Sequence, residues 1–321
     1  MSADERLDRL RARYRSFATS RRVAEFTGTR RNLLALGVVG LVAFVAVFAE
    51  PIVVRISIEG HAVTQTVQPF SLAPYDPAEQ HLADRLSPPS RQYPLGTDRL
   101  GRDVFSRILV GARVSMRIAV VVVAVTLVVG TAVGLVAGYV GGLVDEGLMR
   151  FVDVLLAFPG ILLALVIAGI LGPSLRNVMI ALAAVGWTQY ARVVRGSVLS
   201  VKEAEYVKSA ELMAVSRPRI VLRHVLPNVI TPVVVLATMD MAYVVLGTAG
   251  LSFLGLGAQP PTPEWGTMLA GGRNHLQDAW WVANVPGFAI MLTVLSFNVL
   301  GDSLRDVLDP RDVSNVERKG M

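Results

Sequence analysis

The sequence predicts an all-α polytopic membrane protein: six transmembrane helices, with an extracytoplasmic lobe between the first and the second. Composition is the first reason. The hydrophobic set makes up 53% of the 321 residues, charged residues only 17%, and mean hydropathy is +0.52. A soluble domain carries about 25% charged residues, so this chain lacks the polar groups to cover a soluble surface. The other reasons are apolar runs long enough to cross a bilayer and positive charge gathered in particular loops. The same apolar content excludes disorder. With no cysteine there is no disulfide framework, iron–sulfur site or thiolate zinc site, and the redox compartment cannot be read.

Crossing about 30 Å of hydrocarbon takes roughly 20 apolar residues. The charge-poor runs place helices at about 33–54, 114–140, 149–171, 175–195, 228–250 and 283–305. The fourth is the weakest, being short and ending in Arg192 and Arg195. This divides the chain into a tail at 1–32, the first helix at 33–54, a lobe at 55–112, a helical core at 113–310 and a tail at 311–321. Positive charge orients the bundle. The first 32 residues hold nine arginines, 192–223 holds seven Lys or Arg, and the segment after 304 holds four. The link at Arg176 and the 251–282 connection hold one each, and the six in 55–112 weigh little in so long a loop. Both termini and the 192–223 loop are therefore expected in the cytoplasm. Ser20-Arg21-Arg22 hints at a twin-arginine signal, but the lead is too long and further spans follow.

The net charge of +6, from 31 Lys or Arg against 25 Asp or Glu, would suggest nucleic acid for a soluble protein. Here topology accounts for it, and no nucleic-acid partner is expected. Of the three lysines, Lys202, Lys208 and Lys319, none follows a glycine, so no Walker A loop is present.

Few residues offer chemistry. His61, His81, His224 and His275 have no metal-ligand spacing, and no metal site is expected. Gly250-Leu251-Ser252-Phe253 suggests a serine nucleophile, but Leu254 stands where a hydrolase elbow needs glycine and no helix brings a histidine to Ser252. Asp240 lies inside the fifth helix, where a charge is costly. It reads either as a polar point on a pathway or subunit contact, or as a carboxylate satisfied by a neighbouring helix or protonated. Arg150 and Asp153 are spaced for an interfacial ion pair on one helix face. Gly130, Gly134 and Gly138 form one stripe on the second helix, suited to close packing.

The cytoplasmic loop, about 196–227, is the most informative segment. Ala204, Val207, Ala210 and Ala214 share one face of a helix, with Lys202, Glu205, Lys208 and Ser209 opposite. Ser216 reads as the N-cap of a second helix with Pro218 in its first turn, and Pro227 as its end or kink. Two short helices make a rigid knob suited to docking a partner, or else a connector lying on the membrane surface.

From Lys208 to Pro227 the loop resembles the cytoplasmic signature of ABC importer permeases: Glu-Ala-Ala, three residues, Gly, nine residues, then Ile-x-Leu-Pro. Ala210, Leu226 and Pro227 match it, and RHVLPN at 223–228 resembles the form in the peptide-importer branch. PLGTDRLGRDVFSRILVGARVSMRI at 94–118, LSFLGLGAQPPTPEWGTMLAGGR at 251–273 and FNVLGDSLRDVLDPR at 297–311 are similar to further blocks of that branch. The chain is thus identified as a member of the dipeptide/oligopeptide/nickel importer family, as its C-type permease subunit with the type I ABC importer permease fold.

The resemblance implies a non-enzymatic subunit in the plasma (inner) membrane of a prokaryote, forming half of a pathway for di- or oligopeptides or similar small solutes. It implies a second, B-type permease as heterodimer partner, two ATP-binding-cassette ATPases and an extracytoplasmic substrate-binding protein. No cofactor is bound by this chain, ATP and magnesium being used by the ATPases. The coupling contacts it implies are Glu203, Tyr206, Val207, Lys208, Ser209, Ala210, Leu212, Ala214, Arg223, His224, Leu226 and Pro227. Three residues depart from the pattern: Lys208 for Glu, Ala214 for Gly, and Thr248 for Glu. Glycine at 214 would allow a positive φ, so Ala214 predicts a different turn or a strained one. The alternative, a stand-alone secondary transporter or channel, predicts inverted repeats, which the halves do not display.

Overall fold

The computed structural model describes residues 26, 28–58, 61–68 and 70–308. The expected tails lie almost wholly outside them. Helix α1 spans Arg30–Phe48, shorter than expected because Pro51 and the β-branched run behind it favour extended backbone. Strands β1 (Ile52–Ile58) and β2 (His61–Gln68) form an antiparallel hairpin, a small exception to the all-α architecture.

Helix α2, Val104–Val140, begins ten residues before the expected 114. Asp103 caps it, accepting from the Ser106 N–H at 2.8 Å and the Ser106 hydroxyl at 2.6 Å. The span expected over 149–171 is broken: α3 (Gly142–Leu156) and α4 (Gly160–Leu171) meet at 85°. Pro159 stands at the break, where it removes an N–H and keeps Phe158 from helical backbone.

Helix α5, Leu175–Lys202, runs beyond the expected stop at 195. Its arginines do not end it because both are engaged from α3: Arg195 holds both Asp145 oxygens at 2.6 Å, and Arg192 pairs with Asp153. That last contact replaces the expected Arg150–Asp153 pair, since Asp153 faces α5. After α6 (Glu205–Leu212), helix α7 runs Arg217–Phe253. It starts eleven residues before the expected 228 and passes Pro227 by a π turn over Val221–Val225. The shifted register there carries the helix across the residue expected to end it. Short α8 (Trp265–Gly272) and long α9 (Trp281–Leu308) complete the described residues.

Helices α1, α2, α7 and α9 are long and apolar enough to cross a membrane, as is the bent pair α3–α4 taken as one span. The expected fourth span, α5, is 28 residues long rather than short, but is not apolar enough to join them by the same measure. Helices α2 and α5 form the most extensive pairing in the bundle. The glycine stripe makes it: a Cβ on Gly130 would lie 2.3 Å from the Trp187 carbonyl oxygen, and one on Gly134 2.6 Å from that of Ala191. The two backbones touch, as close packing requires.

The bundle has two distinct ends. At one, the C-terminus of α1 and the N-termini of α2 and α9 meet the 70–103 segment, where Leu72 bonds to Phe48 and Trp281 to Thr97. At the other, Asn32 of α1 bonds Ser303 of α9 at 2.7 Å, and Lys202 at the end of α5 bonds the Tyr139 carbonyl near the end of α2 at 2.8 Å. The start of α1, the end of α9 and the 203–216 loop therefore share one end.

Candidate coupling surface and intramembrane polar site

The loop end is built on a second apolar core. Val207 and Ala210 of α6 bury against Val194 and Val198 of α5 and Ile220 and Val225 of α7. This fixes α6 in place and turns its other side outward. Glu203, Tyr206, Lys208, Ser209, Leu212, Arg223 and Pro227 are exposed, while His224 and Leu226 are half-buried. The sequence pattern places Val207 and Ala210 inward and Glu205, Lys208 and Ser209 outward as found, but Ala204 is a half-buried N-cap, Lys202 ends α5 and is half-buried, and Ala214 lies beyond the helix and is exposed. It missed Met213 (71% exposed) and Leu222 (64%), which join Leu212 (89%) as protruding apolar side chains. Met213 sits in the turn after α6 and Leu222 in the π register, where helical period gives no guidance.

Ala214 closes α6 with φ +57°. The Val215 N–H bonds the Ala210 carbonyl at 3.2 Å and the Ala214 N–H bonds that of Glu211 at 3.0 Å, the Schellman pattern, whose left-handed position normally holds glycine. The strained alternative is therefore the one realised, with a Cβ where the left-handed region disfavours it. Ser216 precedes the next helix, with Pro218 in its first turn as expected, but its side chain makes no capping bond. Glu203 pairs with Lys208 at 2.7 Å, and the ammonium holds this exposed carboxyl below the usual carboxylate range. Between the end of α2 and this loop lies a groove of about 540 Å³ walled by Tyr139, Lys202, Glu211, Arg217 and Leu222.

Within the bundle, Asp240 lies near the middle of the apolar stretch of α7 and keeps partial exposure. Tyr190 of α5 stands beside it, fully buried, its hydroxyl facing the Asp240 carboxylate. Ser252 is buried and its hydroxyl has no partner, so no base is positioned to activate it. Among the described residues no group of three or more His, Asp or Glu could hold a metal ion.

The opposite end is locked by buried charge that the sequence pattern does not signal. Asp98 accepts from Arg102 Nε at 2.7 Å and lies 3.7 Å from Arg107 Nε, all three residues being largely buried. Arg107 also donates to the Pro77 carbonyl at 2.6 Å. Gly101 turns this loop with φ +73°, and a Cβ there would fall 1.8 Å from the His81 carbonyl oxygen. Buried Glu264 caps α8 by accepting from the Gly266 and Thr267 N–H groups, both at 2.9 Å. Trp265 and Trp281 tie the end to Ile108 and Thr97, each indole donating at 3.1 Å.

Comparison with known proteins places this architecture. Residues 130–312 match the family described as the binding-protein-dependent transport system inner membrane component. The chain is 47% identical over 234 residues to the dipeptide transport system permease protein DppC of Alkalihalophilus pseudofirmus, covering 73% of this chain and 77% of that one. It is 48% identical over 246 residues to the protein of the same name in Escherichia coli K12, covering 75% and 82%. It is 49% identical over 241 residues to the glutathione transport system permease protein GsiD of Shigella flexneri, covering 75% and 80%. In fold it is similar to a chain of the inward-facing MetNI methionine ABC transporter, with a TM-score of 0.51 at 17% identity, covering 64% of this chain and 98% of that one. The chain belongs to the binding-protein-dependent transport system inner membrane component family and is a multi-pass permease subunit of an ABC importer.

Proposed function

We propose that this subunit forms half of the pathway for di- or oligopeptides, paired with a second permease and driven by two separate ATPases. An extracytoplasmic binding protein delivers the substrate to the 70–103 end, and the 203–216 loop faces the cytoplasm. The observation that carries this reading is the loop itself. Leu212, Met213 and Leu222 protrude from a scaffold anchored by Val207 and Ala210. Exposed apolar side chains on a rigid mount suit insertion into a partner's groove.

In this reading the ATPases bind and hydrolyse ATP with magnesium, and this chain supplies the mechanical element. Coupling needs an element whose position both sites bias. Helix α6 is mounted directly on α5 and α7, so its displacement is a displacement of the bundle. The relatives named for dipeptide and glutathione transport support a peptide cargo.

Two experiments test the proposal. Mild-detergent purification from the native membrane, followed by mass spectrometry, is expected to yield a second permease and two ATPase polypeptides with this chain. A chain that purifies alone and transports in liposomes without ATP would replace this reading with a secondary transporter. Ala214→Arg is expected to abolish uptake of a radiolabelled dipeptide while leaving membrane insertion intact, and normal uptake would sink the coupling role.

A further inference from the structure

Where α2 leaves the hydrocarbon, the groove of about 540 Å³ beside the 203–216 loop changes character along its length. Its deep wall is apolar, formed by Leu135, Val136 and Val140 of α2, with Val136 47% and Val140 59% exposed. These side chains belong to a run that carries no charge from Ile118 to Val144, so they face lipid tails rather than water. Leu135 lies five residues, about 7.5 Å, inward of Val140 along the helix.

The shallow wall is cationic. Lys202, at the end of α5, donates to the Tyr139 carbonyl at 2.8 Å, and its ammonium stands 5.5 Å from the centre of the Tyr139 ring. It is thereby held over the groove with donors to spare. Arg217, at the start of α7, is exposed, and its guanidinium makes no hydrogen bond or ion pair among the described residues. In this they differ from Arg192, Arg195 and Lys208, each taken by a carboxylate. Glu211 also lines the groove and faces the Tyr139 hydroxyl, so two cations against one carboxylate leave a surplus of positive charge.

An apolar cleft at hydrocarbon depth that opens onto cations at the membrane boundary matches the polarity of a phospholipid, acyl chain below and phosphate above. Phosphate oxygens accept from both ammonium and guanidinium donors, and basic pockets at a membrane face select anionic headgroups. An acidic soluble partner meets the cations but does not reach Leu135 and Val136. Leu212 and Met213 do not line the groove, so a lipid there leaves this protruding pair free.

We propose that the groove holds an anionic phospholipid, its phosphate between Lys202 and Arg217 and one acyl chain along Leu135, Val136 and Val140. The lipid then bridges the end of α2 and the start of α7 beside α6, whatever the cargo.

The test uses the assembled transporter in phosphatidylcholine nanodiscs. The probe is phosphatidylglycerol carrying a photoreactive diazirine in an acyl chain, with the labelled peptides located by mass spectrometry. Labelling is expected over 135–140, suppressed by excess unlabelled phosphatidylglycerol and not by the same excess of phosphatidylcholine. Lys202→Gln with Arg217→Gln is expected to weaken that competition about 25-fold, roughly fivefold for each cation removed, with subunit composition unchanged. Lys202→Arg with Arg217→Lys, which keeps both charges, is expected to retain it. Equal suppression by the two lipids overturns the proposal and assigns the labelling to the surrounding bilayer. Undiminished competition in the neutral double variant also overturns it. So does labelling that is absent from 135–140, or that appears only once the ATPases are stripped away, which assigns the groove to a protein partner. Should the double variant fail to assemble, the comparison of the two lipids on the wild-type complex decides.

Discussion

The two ends of the bundle solve the same problem in opposite ways. Each must hold helices together beyond the apolar core. The 70–103 end does so with internal partners: Asp98 for Arg102 and Arg107, the Pro77 carbonyl for Arg107, indoles for loop carbonyls. The loop end leaves Leu212, Met213 and Leu222 uncovered, closes α6 through a left-handed alanine, and enters α7 through a π turn. The first end is tied by bonds within the chain, although Leu82 and Trp280 stay exposed there. The second leaves apolar side chains uncovered on a rigid mount, and the contrast separates residues that hold the fold from residues the fold leaves exposed.

The largest expected effect breaks the tied end. Asp98→Ala strands two buried guanidinium groups, and losing one partner of a buried pair costs about 3 kcal/mol. For a chain of this size that lowers the melting midpoint of the purified complex by about 6 °C. Limited proteolysis should then open the 70–103 segment before the 203–216 loop. Cleavage in the reverse order would remove the distinction between the ends.

Gly134→Val acts between them. Its Cβ would meet the Ala191 carbonyl at 2.6 Å and Val194 Cβ at 2.8 Å, an overpacking that costs about 2 kcal/mol. Both ends should loosen together, read as faster hydrogen exchange at each, because α2 and α5 reach both. The smallest effect sharpens the contrast from the other side. Ala214→Gly removes a left-handed Cβ and is expected to stabilise the α6 turn by about 1 kcal/mol. Slower exchange confined to α6, with the 70–103 end unchanged, is the outcome to measure.

What depends on local pattern was legible in the sequence. Apolar runs locate the spans, the four-residue glycine period locates the tightest helix pair, and the alanine in place of glycine at 214 foretells a strained turn. What depends on distant partners was not. Arg107, Arg113, Arg192 and Arg195 resemble helix stops in one dimension, but each lies inside a helix because a remote carbonyl or carboxylate satisfies it. Spacing alone pairs Asp153 with Arg150 because both lie on one helix, whereas the fold presents Arg192. Asp240 is visible as a charge in an apolar run. Tyr190 is not, because a tyrosine in a helix carries no mark of the carboxylate it will face until the neighbouring helix is in place.

The backbone contact between α2 and α5 has a mechanical consequence. Interlocked along Gly130, Gly134 and Gly138, the two rods cannot slide or bend independently without prising carbonyls from Cα atoms. Helix α5 alone, 28 residues, is about 42 Å long. A tilt of about 5° around one end therefore sweeps the other through roughly 4 Å, enough to separate a pair of packed side-chain layers. The stripe of missing side chains makes the pair a lever, with its short arm at α6 and its long arm reaching toward the opposite face of the bundle.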